Sequence, residues 1–274
     1  KACAMPIEPV WIALLALLGL FGGFAAGLLG IGGGMILVPF TSAILAAQGV
    51  QQELALKMAI ATSMASVVFT SISSVRAHHQ RGAVRWGLVR RLVPGIVLGA
   101  ALASLGVFAL IKGAALGVVF AAFVIFSGTQ MLLGKKPAAT RQLPGTPGLL
   151  GMGGVIGFLS GLVGAGGGFV SVPFMTWCNV PIHNAVATSA ALGFPIALAN
   201  TAGYIAGGLS APGLPAWSLG YVWLPALAAI ASCSTLMAPL GARAAHALPV
   251  TRLKRAFGLM LCALGIYMLF KTLG

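Results

Sequence analysis

Apolar runs follow one another along the whole chain, and almost nothing ionic interrupts them. Long runs occupy about 9–29, 54–75, 87–110, 113–133, 148–164, 184–208, 217–242 and 253–273, with shorter ones near 34–48 and 168–179. A helix rises 1.5 Å per residue, so ~20 apolar residues cross a hydrocarbon layer of ~30 Å. Charged residues make up only 7% of the 274, where a soluble surface wants roughly a quarter to a third. The mean hydropathy of +1.04 agrees. A soluble enzyme, a disordered chain and a disulfide scaffold are excluded. The expected fold class is an all-α polytopic membrane protein with eight to ten embedded segments.

The net charge of +14 could point to nucleic acid, but its distribution points to topology. Five basic residues fall in 76–91 (Arg76, Arg81, Arg85, Arg90, Arg91), four in 243–255, and Lys135, Lys136 and Arg141 lie near the chain's midpoint. Each cluster sits at a break between apolar runs, as cytoplasmic loops do. Nucleic acid is not an expected partner; the lipid bilayer and a small anionic solute are. The four cysteines (Cys3, Cys178, Cys233, Cys262) show no metal or redox spacing and read as small packing residues. The first apolar run has neither a basic leader nor a clear cleavage site, so it reads as a membrane segment.

The ten runs divide into five, a polar linker, and five. Residues 1–134 form one transmembrane repeat, 135–147 a cytoplasmic linker, and 148–274 a second repeat, all within one membrane domain. Gly27 to Phe40 (GLLGIGGGMILVPF) aligns with Gly161 to Phe174 (GLVGAGGGFVSVPF), identical at nine of 14 positions. Ala61-Thr62-Ser63 then matches Ala187-Thr188-Ser189, Pro94 matches Pro225, Leu98-Gly99-Ala100 matches Leu240-Gly241-Ala242, and Lys112 falls on Lys254. The loop near 76–86 is rich in Arg while its counterpart near 209–217 has no charge. At the next connection the bias reverses, Lys112 against four basic residues in 243–255. Equivalent loops therefore lie on opposite sides, which predicts an inverted repeat. With 76–86, 134–147 and 243–255 in the cytoplasm, both termini are expected outside.

Each repeat breaks at a Gly-x-Gly-Gly-Gly element. The short runs beside it predict a re-entrant or broken helix hairpin whose corner stops inside the bilayer, with Pro39 and Pro173 bending the returning limbs. Such a corner frees several amides at a helix start, which carries about +0.5 of partial charge and suits an anion without any cationic side chain. Two facing corners are the arrangement of secondary transporters; close small-residue packing is the alternative role. The predicted contacts are Gly30, Gly32, Gly33, Gly34, Gly164, Gly166, Gly167 and Gly168. The hydroxyls of Thr62, Ser63, Thr188 and Ser189 join them, and so does Asn200, an amide inside a membrane helix that needs a partner. Hydroxyls of this kind also back-bond to their own helix. Ser66 and Tyr204 are weaker candidates. Lys57 and His183 share one repeat position, and with Arg76 and Arg81 could line an anion's route; snorkelling and loop solvation are their plainer roles.

Other chemistries lack residues. No Gly-Lys-Ser/Thr ends the glycine elements as a phosphate loop requires. Glu53 stands at about the offset of a dinucleotide fingerprint, but in a membrane-helix context. Glu8 and Glu53 are the only carboxylates, both at segment ends, so a carboxylate proton relay has nothing to work with. Gly157-Phe158-Leu159-Ser160-Gly161 is not a nucleophile elbow. No enzyme, cofactor or metal site is expected.

The duplicated Gly-x-Gly-Gly-Gly-x-x-x-x-Pro, the Ala-Thr-Ser after each copy, Gly203-Tyr204 and the stretch Pro215 to Ala226 (PAWSLGYVWLPA) resemble the TauE/SafE family. This is the sulfite exporter or toluene sulfonate uptake permease family, and the likeness covers nearly the whole chain. The resemblance implies a multi-pass carrier of the bacterial inner membrane for sulfur-containing anions such as sulfite, sulfoacetate or related organosulfonates, working by alternating access. Export follows from the resemblance alone. The family's glycine elements fall on Gly30 to Gly34 with Pro39 and on Gly164 to Gly168 with Pro173. In Arg81-Gly82-Ala83-Val84-Arg85-Trp86 this chain carries Arg85 where an acidic residue is common in the family. An anion channel, or a membrane subunit of unassigned substrate, is the alternative reading.

Overall fold

A computed structural model describes residues 8–30, 33–133, 141–247 and 250–273. Helix α1 (Pro9–Leu29) opens on a proline, whose fixed φ suits the first turn, and stops at Gly30 in the left-handed region, φ 69°. Helix α2 (Gly34–Ala47) starts from Gly33, again left-handed at φ 71°. The second repeat uses the same device. Helix α7 (Thr146–Val163) ends at Gly164, φ 67°, and α8 (Gly168–Trp177) begins from Gly167, φ 77°. A side chain would be strained at any of the four.

The other helices are α3 (Gln52–His79), α4 (Trp86–Ala101), α5 (Phe108–Leu110), α6 (Gly113–Leu133), α9 (Ile182–Gly208), α10 (Leu224–Ala247) and α11 (Val250–Leu273). Among the described residues, eight helical stretches are long and apolar enough to cross a membrane, and α2 and α8 are the short segments between them. The protein is an all-α polytopic membrane protein. Its outer faces carry exposed apolar side chains such as Leu17, Leu98, Leu236 and Phe270, as lipid contact requires.

The structure corrects two of the expected runs. The run at 217–242 is not all helix: Ser218–Leu219 (β1) and Val222–Trp223 (β2) form a two-stranded antiparallel ribbon turned by Gly220 and Tyr221, with Gly220 at φ 56°. The run at 87–110 is interrupted by a π-helical turn over Leu102–Val107 between α4 and α5. That turn sets Ala103 and Ser104 against Gly161 and Gly203, so an irregularity in the first half of the chain shapes the packing of the second. The proposed Pro94–Pro225 equivalence also fails by position, since Pro94 lies inside α4 and Pro225 in the first turn of α10. Residues 134–140, which include the first part of the linker, lie outside the described residues, as do Cys3 and Gly32. The rest of the linker is tied down at Arg141, whose guanidinium stacks 4.4 Å from the Trp177 ring centroid at the close of α8.

The helices pack by exchange. A stripe of Gly19, Gly23 and Gly27 on α1 lies against the backbone of α10 at Ile230, Ser234 and Ala238. On α7, Gly153 and Gly157 lie in the same way against α4 at Leu92 and Ile96. Gly99 and Gly241 return the contact from α4 and α10. Backbones approach this closely only over small residues. The centre is the pair α3 and α9, the most enclosed of the long helices. They run antiparallel: Leu54 lies near Gly213, Ser71 near Gly193, and Asn184 donates to the Ala83 carbonyl. α6 and α11 pack antiparallel on the outside, Gly117 by Thr272 and Gly128 by Gly258.

Candidate functional site

The two glycine corners meet. A β-carbon on Gly34 would collide with the Gly164 carbonyl oxygen and stand 3.2 Å from the Ala165 Cα. A β-carbon on Gly30 would lie 2.8 Å from the Val186 carbonyl oxygen on α9, and one on Gly164 would lie 3.0 Å from the Ile60 side chain on α3. Each corner is thus wedged against the long central helix from the other half of the chain. The described corner residues are buried.

Two of the four predicted hydroxyls, Ser63 and Ser189, touch this junction. Ser63 donates to the Gly34 carbonyl at 3.4 Å. Ser171 on α8 donates to Ser189 at 2.8 Å, and Ser189 donates onward to the Gly30 carbonyl at 3.0 Å, a relay from the second return helix to the first corner. The threonines behave otherwise. Thr62 accepts the Trp223 amide at 2.9 Å and Thr188 accepts the Arg85 amide at 3.1 Å. Each fastens a central helix to the segment that leads into α10 or α4. Ser66 back-bonds to the Ser63 carbonyl.

The second corner leaves donors and acceptors open. Among the described residues, no protein acceptor meets the amides of Gly166, Gly167, Gly168 and Phe169, while Val170 and Ser171 donate back to the Gly167 carbonyl. This is the unsatisfied start of a helix, wholly inside the protein. Asn200 is fully buried and gives its Nδ2 to the Ile196 carbonyl at 2.9 Å. Its Oδ1 has no partner, and neither has the fully buried Ser160 Oγ. Sequence reasoning missed Ser160 as a site residue. The signal was present in its place, one turn before Gly164, where the first repeat has Ala26.

A second equivalence emerges only in three dimensions. Counted from the two Thr-Ser pairs, His78 and Tyr204 occupy one repeat position. Both are buried, and both donate to the same carbonyl of their hairpin: His78 Nε2 to Gly27 at 3.2 Å, and the Tyr204 hydroxyl to Gly161. A carbonyl only accepts, so Nε2 carries the proton.

The expected anion route is partly assembled. Lys57 holds its ammonium 5.9 Å from the ring centroids of both Phe108 and Tyr221, and Phe108 stacks on Tyr204 at 4.4 Å. Lys57 is one turn before Ile60, which touches Gly164, so this is the predicted cation that stands beside a corner. His183 is exposed at the start of α9. Arg76 and Arg81 are exposed at the end of α3, and Arg81 Nη1 donates to the Ala242 carbonyl at 3.0 Å. Pro39 and Pro173 both sit inside the return helices, sixth residue in each. Glu53 and Lys271 instead line a cavity of about 240 Å³ at the ends of α3, α6 and α11, away from the corners.

Residues 15–268 match the sulfite exporter TauE/SafE family. A "Probable membrane transporter protein" of Haemophilus influenzae is 36% identical over 95% of this chain and 99% of its own length. A relative from Methanocaldococcus jannaschii with the same description is 27% identical over 94% of this chain and 95% of its own. One from Xylella fastidiosa is 28% identical over 91% and 92%. No solved structure matches.

Proposed function

The chain belongs to the TauE/SafE family of membrane transporters, and from that premise we propose that it is a secondary carrier of a small sulfur-containing anion. Sulfite, sulfoacetate or a related organosulfonate would be moved outward across a bacterial inner membrane by alternating access. The observation that carries the reading is the pair of buried glycine corners in mutual contact, the second with four consecutive amides that meet no acceptor among the described residues. Amides fixed in this way favour negative charge without the cost of ordering a long cationic side chain. The remaining contacts are Ser63 and Ser189 at the first corner and Asn200 beside the second. Thr62 and Thr188 hold the surrounding frame, and Lys57 stands on the route in.

The two repeats, 1–134 and 148–274, are read as inverted halves of one membrane domain. The antiparallel α3 and α9 and the exchanged packing of α1 on α10 and α7 on α4 support that relation. Movement would be a rocking of the packed helix groups around the corners, with Pro39 and Pro173 as points of bending.

Purified protein in liposomes tests this. Saturable sulfite flux with counterflow is the expected result, and Gly167→Val should abolish it while membrane insertion persists. A valine there would carry φ 77° and a β-carbon 2.6 Å from the Ile196 side chain. Single-channel currents in place of counterflow would overturn the carrier mechanism, and undiminished flux in Gly167→Val would overturn the site.

A further inference from the structure

The two corners share their backbone but not the side chains around them, and the second is flanked by two buried side-chain oxygens that have no protein partner among the described residues. Hydroxyls in membrane helices ordinarily donate to a carbonyl one turn back, as Ser66, Ser104 and Thr176 do. Ser160 does not. Its Oγ is fully buried, has no partner among the described residues, and lies 3.1 Å from where a β-carbon on Gly167 would stand. It is therefore aimed at the corner whose amides lack acceptors.

Asn200 adds the opposite polarity. Its Nδ2 is committed to the Ile196 carbonyl, which fixes the amide and leaves Oδ1 as a bare acceptor against the Cα of Gly161. The Gly161 carbonyl already takes the Tyr204 hydroxyl. Ser160 and Gly161 are consecutive, so the two orphan oxygens flank one turn of α7. A contact with a Cα–H is a weak hydrogen bond and does not offset the desolvation of a buried amide oxygen. At these places the first repeat has Ala26, which brings no hydroxyl, and Ser74, a buried hydroxyl also without a partner among the described residues but lacking the fixed acceptor of an amide.

Resting on the transport reading above, we propose that this half of the site selects its cargo. The amides of Gly166 to Phe169 and the Ser160 hydroxyl hold the oxyanion, and Asn200 Oδ1 accepts a hydrogen bond from the solute itself. The favoured cargo is then a monoanion that carries its own donor hydrogen, such as hydrogensulfite or a hydroxyl-substituted sulfonate. A fully ionised sulfite would face the amide oxygen with lone pairs only. A bound cation would face the converging N–H groups.

Two solute pairs test the idea in liposomes containing the full-length protein. Isethionate and ethanesulfonate differ by one hydroxyl, and sulfite exchanges its proton near neutrality. The wild type should carry isethionate about tenfold faster than ethanesulfonate, the worth of one hydrogen bond, and sulfite flux should rise as pH falls, in step with hydrogensulfite. Asn200→Leu should level both contrasts. Ser160→Ala, which only restores the first repeat's Ala26, should slow both members of each pair and keep their ratio. Whichever pair is carried decides: equal wild-type rates, flux that follows the dianion, or a contrast unchanged in Asn200→Leu would overturn the selectivity while leaving transport standing. No flux of any of these anions would overturn the transport reading and the selectivity together.

Discussion

The first and second hairpins share nine of 14 residues across their corners and turn through the same left-handed glycines, Gly30 and Gly33 against Gly164 and Gly167. What surrounds them differs. The return helix is 14 residues in the first and 10 in the second. An imidazole clasps Gly27 where a phenol clasps Gly161, and the place of Ser160 is taken by Ala26. Identity in the motif thus fixes the path of the backbone, and the residues that diverged decide what each corner can hold.

The sharpest break in that comparison is Gly34→Ala. Its methyl would strike the Gly164 backbone, which cannot swing aside as a side chain can. The expected loss is about 3 kcal/mol or more, read as a collapse of thermal stability in detergent, and a variant of wild-type stability would show that the corners do not press on each other. Tyr204→Phe should follow. The Gly161 carbonyl lies in the last turn of α7, where the Gly164 and Ala165 amides both turn to Ser160 instead, so losing the phenol strands an acceptor at a cost of about 1–3 kcal/mol.

The threonine pair sharpens the contrast further. Thr62→Val leaves the buried Trp223 amide alone, whereas Thr188→Val releases the amide of exposed Arg85 to water. Losses of about 1–2 kcal/mol and less than about 1 kcal/mol are expected, in that order; the reverse order in thermal unfolding would show that the segment entering α4 is the tighter joint. Ser160→Ala should move stability least. It removes a buried hydroxyl that bonds nothing, so the melting temperature should hold or rise slightly while flux drops. A clear loss of stability would assign Ser160 a structural role.

Much of this was readable from the residues. The runs 9–29 and 113–133 coincide with α1 and α6, because Pro9, Gly30 and Gly113 punctuate an otherwise uniform apolar text. The corners were readable because only glycine tolerates their φ. The β ribbon was not, since Trp217 to Trp223 is as apolar as the helix it precedes and only Gly220 marks the turn. The π-helical turn has no signature within its own sequence; its reason lies across the fold, at Gly161 and Gly203. Ser160 was set aside because it fails as a nucleophile, a test that says nothing of its use as a hydrogen-bond donor. The kinship of His78 and Tyr204 stayed hidden because the two share a task and no chemical resemblance.

The glycine stripes on α1 and α7 have a consequence for ancestry. Each is covered by a helix encoded in the opposite half of the gene, α10 or α4. A single half would expose its stripe to lipid with no wall to close it. If the chain arose by fusion of two copies, the half-length ancestor had to dimerise before the copies were joined, and severing the chain between 134 and 147 should yield fragments that assemble only when synthesised together.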